Sequence, residues 1–146
     1  MEVQTKTMGT VDVDDEHIIT FPNGLFGFED YHKYALIEAE YEPFFWLQSL
    51  DERGLAFIVV DPFLIAKDYE LDVDDKMLAE IELDSPSDVA VFAIVTVPAT
   101  GGPVTANLQG PLVINRKNQC ALQVILPDSR WTTKHNIIKA LKEGKV

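Results

Sequence analysis

Apolar residues in this chain come in short runs, and turn-forming residues cut each run before it grows long. A residue period of two puts alternate side chains on opposite faces of a strand, so a chain written this way is set up to bury faces of a sheet. Val3, Thr5 and Thr7, then Val11 and Val13 between charged neighbours, read as one or two half-buried strands. Residues 18–21 continue the sheet until Pro22, which lacks the N–H a ladder needs. In Pro22-Asn23-Gly24-Leu25-Phe26-Gly27-Phe28 two glycines can take positive φ. That spacing predicts a compact turn with its aromatic side chains folded back onto the core. Residues 34–39, 45–50 and 55–60 are β-prone and separated by Glu42-Pro43 and Asp51-Glu52-Arg53-Gly54, the layout of a meander of hairpins.

Beyond Asp61-Pro62 the pattern is less regular. Tyr69, Leu71 and Val73 alternate with Glu70 and Asp72, which predicts another strand with an acidic exposed face. Asp74 and Asp75 can cap a short helix over residues 76–81, where Met77, Leu78 and Ile81 fall at helical spacing. Residues 89–97 barely alternate and so predict a strand buried on both faces. Residues 104–108 and 112–115 follow across a Gly-Pro break, Arg116-Lys117-Asn118 makes a polar turn, and residues 119–126 read as the last strand. Residues 133–142 read as a terminal helix with Ile137, Ile138 and Leu141 on one face. Many short strands and few helices predict an all-β class, an antiparallel barrel or sandwich. No repeat, linker or low-complexity block divides residues 1–146, so a single domain is expected.

Charge is the most informative bulk property. The chain carries 24 acidic and 12 basic side chains for a formal net charge of −12. Residues 1–88 hold 22 acidic and 5 basic side chains, a net −17, whereas residues 89–146 hold 2 acidic and 7 basic, a net +5. A field of this sign repels phosphate backbones and speeds encounter with basic partners, which argues against direct nucleic-acid binding. Acidic residues also keep a small β protein in solution whatever its task. The lone Cys120 has no internal disulfide partner, and the first ten residues lack an apolar block, so an intracellular, cytoplasmic protein is expected. The longest uncharged stretch, residues 89–115, is cut by Pro98, Gly101, Gly102 and Pro103 and is too short to cross a membrane.

Chemistry has little visible foothold. His17, His32 and His135 lie far apart with no metal-ligand spacing, and each is expected at the surface, so no metal or cofactor is expected. Cys120 could be paired with His135 as a nucleophile, but it sits in an alternating strand where cysteine behaves as a small apolar group. No phosphate-binding glycine loop or nucleophile elbow is present. Neighbouring carboxylates such as Asp14-Asp15-Glu16, Glu29-Asp30 and Asp74-Asp75 could serve acid-base catalysis, though in an acidic chain they are more often solvated turns. Phe44, Phe45 and Trp46 must point alternately to opposite faces, so core and contact-patch roles can coexist there.

An ordered series of blocks resembles the FliW family. It comprises Ile19-Thr20-Phe21-Pro22-Asn23-Gly24-Leu25, Gly27-Phe28-Glu29, and Phe45-Trp46-Leu47-Gln48-Ser49-Leu50. It continues with Asp61-Pro62-Phe63, Asp68-Tyr69, Val95-Thr96-Val97-Pro98, Thr105-Ala106-Asn107-Leu108 and Gly110-Pro111-Leu112-Val113-Ile114-Asn115-Arg116. Trp131 and the Lys-rich segment 134–146 depart from that pattern. The resemblance implies a monomeric antiparallel β-barrel, or pseudo-barrel, with a short internal helix and a C-terminal helix, and no catalysis. It implies binding to the RNA-binding repressor CsrA and to flagellin, coupling flagellin translation to secretion. Candidate partner contacts are Asp68, Glu70, Asp72, Asp74 and Asp75, as carboxylates alternating along the expected acidic strand and turn. Pro22, Gly24, Gly27, Phe28, Gln48, Ser49, Asp61, Pro62, Asn107, Pro111 and Asn115 are expected to hold the fold. Two other classes stay open: a small-ligand barrel, which predicts a sizeable internal cavity, and a carboxylate hydrolase, which predicts two facing carboxyl groups with a displaced pKa.

Overall fold

The structure, a computed structural model, describes residues 1–71, 73–98, 101–128 and 130–137. The N-terminal alternation forms a hairpin, β1 (Glu2–Gln4) and β2 (Thr10–Asp12), with Val3 opposite Val11. Thr5 closes its turn: the hydroxyl donates to the Gly9 carbonyl at 2.6 Å and accepts from the Met8 N–H at 2.8 Å. The meander follows as β3 (Ile18–Thr20), β4 (Lys33–Glu38), β5 (Phe45–Ser49) and β6 (Ala56–Val60). After an excursion that holds the short helix α1 (Asp75–Ala79), the chain returns as β7 (Val89–Thr96). Then come β8 (Thr105–Ala106), β9 (Leu112–Asn115), β10 (Ala121–Gln123) and β11 (His135–Asn136). Among the described residues nine strands form one sheet, ordered β10-β9-β7-β6-β5-β4-β3, with β8 also against β7 and β11 against β8. The class is all-β.

Strand alternation buries both faces of this curved sheet. On one face Val59 of β6, Leu47 of β5, Tyr34 of β4, Ile19 of β3, and Leu112 and Ile114 of β9 meet with Phe21, Leu25 and Ala121. On the opposite face Val60, Ala93, Val95, Val113 and Leu122 pack against Tyr69, Ile81, Leu126, Trp131 and Ile137, which the excursion and the C-terminal segment bring over the sheet. A third cluster seats Val3 and Val13 of the hairpin region on Ala35. Burial of one Leu- or Val-sized side chain stabilises by about 2 kcal/mol, so two packed faces give the thin sheet its hold.

The ladder does not close into a barrel. β3 and the start of β10, the two ends of the strand order, meet only at a single parallel bridge between Thr20 and Cys120, with the Thr20 N–H donating to the Gln119 carbonyl at 2.9 Å. β3 is three residues long and Pro22 follows one residue after it, so there is no backbone with which to extend the pairing.

Four further expectations meet a different geometry. Phe26 and Phe28 are 55% and 38% exposed, while Leu25 and Phe21 occupy the core instead, because φ of 69° at Gly24 and 87° at Gly27 turns the loop outward. The described residues 69–71 and 73 belong to no strand: the Tyr69 N–H is taken by the Ala66 carbonyl, and the burial of Tyr69 comes from packing on the sheet. β7 alternates, with Val91, Ala93 and Val95 buried and Ala90, Phe92 and Ile94 only half-buried. His135 and Asn136 pair as β11 with the free edge of β8 where a helix was expected, which leaves His135 half-buried; residues 138–142 of that expected helix lie outside the described residues. His17 and His32 are exposed. No described helix is long and apolar enough to cross a membrane.

Two buried phenols offer a direct check on this packing. The Tyr69 hydroxyl donates to the Leu108 carbonyl at 2.6 Å, whereas the Tyr34 hydroxyl finds no hydrogen-bond partner among the described residues. Burial pushes Tyr34 up to about 12 and Tyr69 well above the usual phenol range. By denaturant unfolding at neutral pH, Tyr69→Phe should lose about 1 kcal/mol, and Tyr34→Phe should be neutral or gain up to about 1 kcal/mol. A folded-state pKa above the unfolded value means stability that is complete below pH of about 10 and is lost as pH rises through the folded value. Alkaline destabilisation between pH 10 and about 12 should therefore be shallower in Tyr34→Phe than in the parent.

Candidate functional site

The described acidic residues singled out along segment 68–75 fall in different local settings. Asp68 pairs with Arg130 at 3.3 Å, and Arg130 also holds Asp128 at 2.7 Å while its guanidinium stacks 5.0 Å from the Trp131 ring. Hydrogen bonds from Arg130 hold the Asp128 carboxyl below the usual carboxylate range, which suits an ion pair and not a general acid. Glu70 lines a small hollow with Leu71, Leu126 and Asp128. Asp74 caps α1, its carboxylate accepting from the Lys76 N–H at 2.9 Å. Asp75, the first residue of α1, is exposed and faces a larger groove. Asp72 lies outside the described residues.

That groove is about 1390 Å³ and open to solvent. Antiparallel register builds it. The end of β4 (Glu38), the start of β5 (Phe45), Asp61 just past β6, the start of β7 (Val89), Arg116 just past β9 and Gln119 just before β10 all fall at one end of the sheet. Leu36, Phe45, Ala90 and Phe92 give it an apolar floor, and Phe45 and Phe92 meet edge to face at 5.5 Å. Leu71, Leu78 and Leu83, which pack against the cluster on the other face of the sheet, also line it. Seven carboxylates line it among the described residues, while Arg116 is the one Lys or Arg there, with its guanidinium donating to the Val89 carbonyl at 3.3 Å. Sequence reading put Asp75 forward as a contact and did not group the others with it, because Glu38, Glu40 and Glu42 are separated from Asp84 by two strands, β5 and β6. The usable signal was their own alternation across the turn between β4 and β5.

Among the described residues no three His, Cys, Asp or Glu side chains converge as metal ligands. Cys120 is half-buried against the core, not poised beside His135 in any recorded contact. The groove opens along its side and does not form an enclosed chamber within the sheet.

Comparison with known proteins gives this arrangement a context. The family model described as "FliW protein" matches residues 2–137. The chain belongs to the FliW family. It is 57% identical over 141 residues to the flagellar assembly factor FliW of Treponema denticola, a match covering 97% of this chain and 96% of that one. It is 53% identical to the flagellar assembly factor FliW of Treponema pallidum, covering 99% and 97% of the two chains. A crystal structure of the flagellar assembly factor FliW superposes with a TM-score of 0.85 at 34% identity, covering 94% of this chain and 96% of the other.

Within this FliW chain the motif residues have visible local tasks. Gln48, fully buried, accepts from the Lys6 N–H at 2.8 Å and donates to the Arg53 carbonyl at 3.0 Å, which ties the N-terminal hairpin's turn to the loop after β5. The Ser49 hydroxyl accepts from the Asp51 and Glu52 N–H groups at 3.1 and 3.0 Å. Asp61 accepts from the Phe63 N–H at 2.9 Å and, with Pro62 following, starts a 3₁₀ turn over Pro62–Leu64. Asn107 accepts from the Gly110 N–H at 2.8 Å, and the Pro111 carbonyl from the Val124 N–H at 3.0 Å. Asn115 donates to the Ile81 carbonyl at 2.9 Å and accepts from the Lys117 N–H at 2.9 Å, pinning the excursion to the end of β9. Phe28 meets Phe57 edge to face at 5.2 Å, and Pro22 opens the turn at the surface.

Two substitutions separate these local tasks from surface charge. Asp74→Ala should cost about 1 kcal/mol in denaturant unfolding because the cap is lost, whereas Asp75→Ala should stay within about 0.5 kcal/mol. A Cβ on Gly24 would sit 2.6 Å from the Glu29 Cα at a φ of +69°. Gly24→Ala should therefore lower stability by about 2 kcal/mol or more, read as a fall in melting temperature.

Proposed function

We propose that this chain is a cytoplasmic flagellar assembly factor that works by binding proteins and not by catalysis. In this reading residues 1–146 form a single domain, monomeric when free, that binds the repressor CsrA and flagellin in competition. While flagellin occupies it, CsrA is free to repress flagellin translation; export of flagellin returns it to CsrA and relieves the repression. Support comes from membership of a family whose relatives carry the name flagellar assembly factor, over nearly the whole chain.

The observation that carries the physical mechanism is the concentration of 22 of the 24 carboxylates in residues 1–88. A body of that charge docked on an RNA-binding protein raises the cost of bringing phosphates nearby, even without covering the base contacts. Displacement of a labelled RNA from CsrA should then weaken as salt rises from about 0.1 M, where the Debye length is about 10 Å, toward 1 M, where it is about 3 Å. Potency that is indifferent to ionic strength, with binding to CsrA intact, would rule out electrostatic exclusion. Absence of binding to both CsrA and flagellin at low salt would sink the functional reading itself.

A further inference from the structure

We propose that the groove at the end of the sheet is a docking site for a basic, amphipathic segment of a protein partner, with apolar anchors on its floor and Lys or Arg side chains on its rim. The inference rests on the protein-binding reading above and assigns that binding a place. Three observations combine. First, the floor is apolar surface that the described residues leave partly open: Phe92 and Ala90 on the half-buried face of β7 continue into Leu36 and Phe45, and the lip carries Phe63 and Leu64, which are 44% and 51% exposed. Contiguous apolar surface of this kind, bordered by polar residues, is the usual mark of a contact site.

Second, the lining is strongly anionic, with seven carboxylates against the single Arg116 among Lys and Arg. Glu38, Glu40, Glu42, Asp75 and Asp84 are among those carboxylates, and none of these five makes an ion pair among the described residues. Unpaired like charges around an apolar floor repel one another until a cationic partner arrives, so complementarity selects a Lys- or Arg-bearing occupant and sets its register. A nucleic acid carries the wrong sign for this lining. Third, the volume of about 1390 Å³ exceeds the range of about 300–1000 Å³ common for small-molecule sites, which favours a stretch of polypeptide over a metabolite. The device is an apolar anchor held in place by an acidic frame, in the manner of grooves that take amphipathic segments.

The test uses the full chain and a fluorescein-labelled synthetic peptide in which Leu and Lys are placed for an amphipathic helix, read by anisotropy. Changing Glu38, Glu40 and Glu42 together to Gln should weaken binding about tenfold. Changing Glu2, Asp30 and Asp51 to Gln, Asn and Asn, the same loss of charge on exposed positions outside the groove, should change it less than about twofold. Leu64→Ser should weaken binding several-fold, and a peptide with every Leu replaced by Ser should not bind. Equal weakening by the two charge sets, or undiminished binding of the Ser peptide, would overturn the proposal, since either result means attraction to acidity at large. Titration of CsrA and flagellin in parallel keeps the two readings apart. If the parent chain binds either partner and the groove triple variant binds both as well as the parent, the groove assignment fails and the functional reading stands. If the parent binds neither, the functional reading fails whatever the peptide does.

Discussion

A single thin sheet that must bury both of its faces is the constraint on which the rest of this molecule depends. Along β6, Phe57 and Val59 point into one cluster while Ile58 and Val60 point into the other, and β7 and β9 divide their side chains in the same way. Neither face can be left to water without losing about 2 kcal/mol for each Leu- or Val-sized side chain. The strands from β3 to β10 curve so that one face closes on itself. The other face has to be covered by chain that is not sheet, and this explains the excursion between β6 and β7, which carries Tyr69 and Ile81 over it, and the C-terminal return, which carries Trp131 and Ile137.

The backbone hydrogen bonds within the excursion are local turns and not a ladder to the sheet, so side chains help tie it down. Tyr69 reaches the Leu108 carbonyl, Asn115 and Asn118 both reach the Ile81 carbonyl, and Gln48 bridges from the N-terminal turn to the loop after β5. The buried ones, to the Leu108 and Ile81 carbonyls, satisfy groups whose loss of all partners would cost about 1–3 kcal/mol. The recognisable polar residues of the FliW family blocks are, in this chain, largely of that kind.

The open end of the sheet is where the same architecture meets function. Strand ends bring connecting loops together, and the loops of this chain are acidic, so the unclosed mouth acquires an anionic rim around apolar residues that no described segment covers completely. Charge that reads in the sequence as a bulk excess becomes, in three dimensions, a frame around a groove. Bulk excess and frame differ in consequence: the first governs encounter rates and salt dependence, the second can set orientation and register.

The β4, β5 and β6 runs were legible within a residue or so because alternation and turn chemistry agree there, and α1 was legible because an Asp pair precedes apolar residues at helical spacing. Where they disagreed, packing decided: residues 69–73 alternate like a strand in the sequence, but residues 69–71 and 73 pair with no strand among the described residues, and residues 135–136 continue a helical pattern yet join the free edge of β8. By itself the sequence determined the all-β class, the position of the turns, the net charge and the family, since each of these depends on neighbours along the chain or on composition. Only the tertiary structure decided that the barrel stays open, that Phe26 and Phe28 face outward, and which carboxylates share a rim, because strand register joins residues dozens of positions apart and no local pattern encodes their distance.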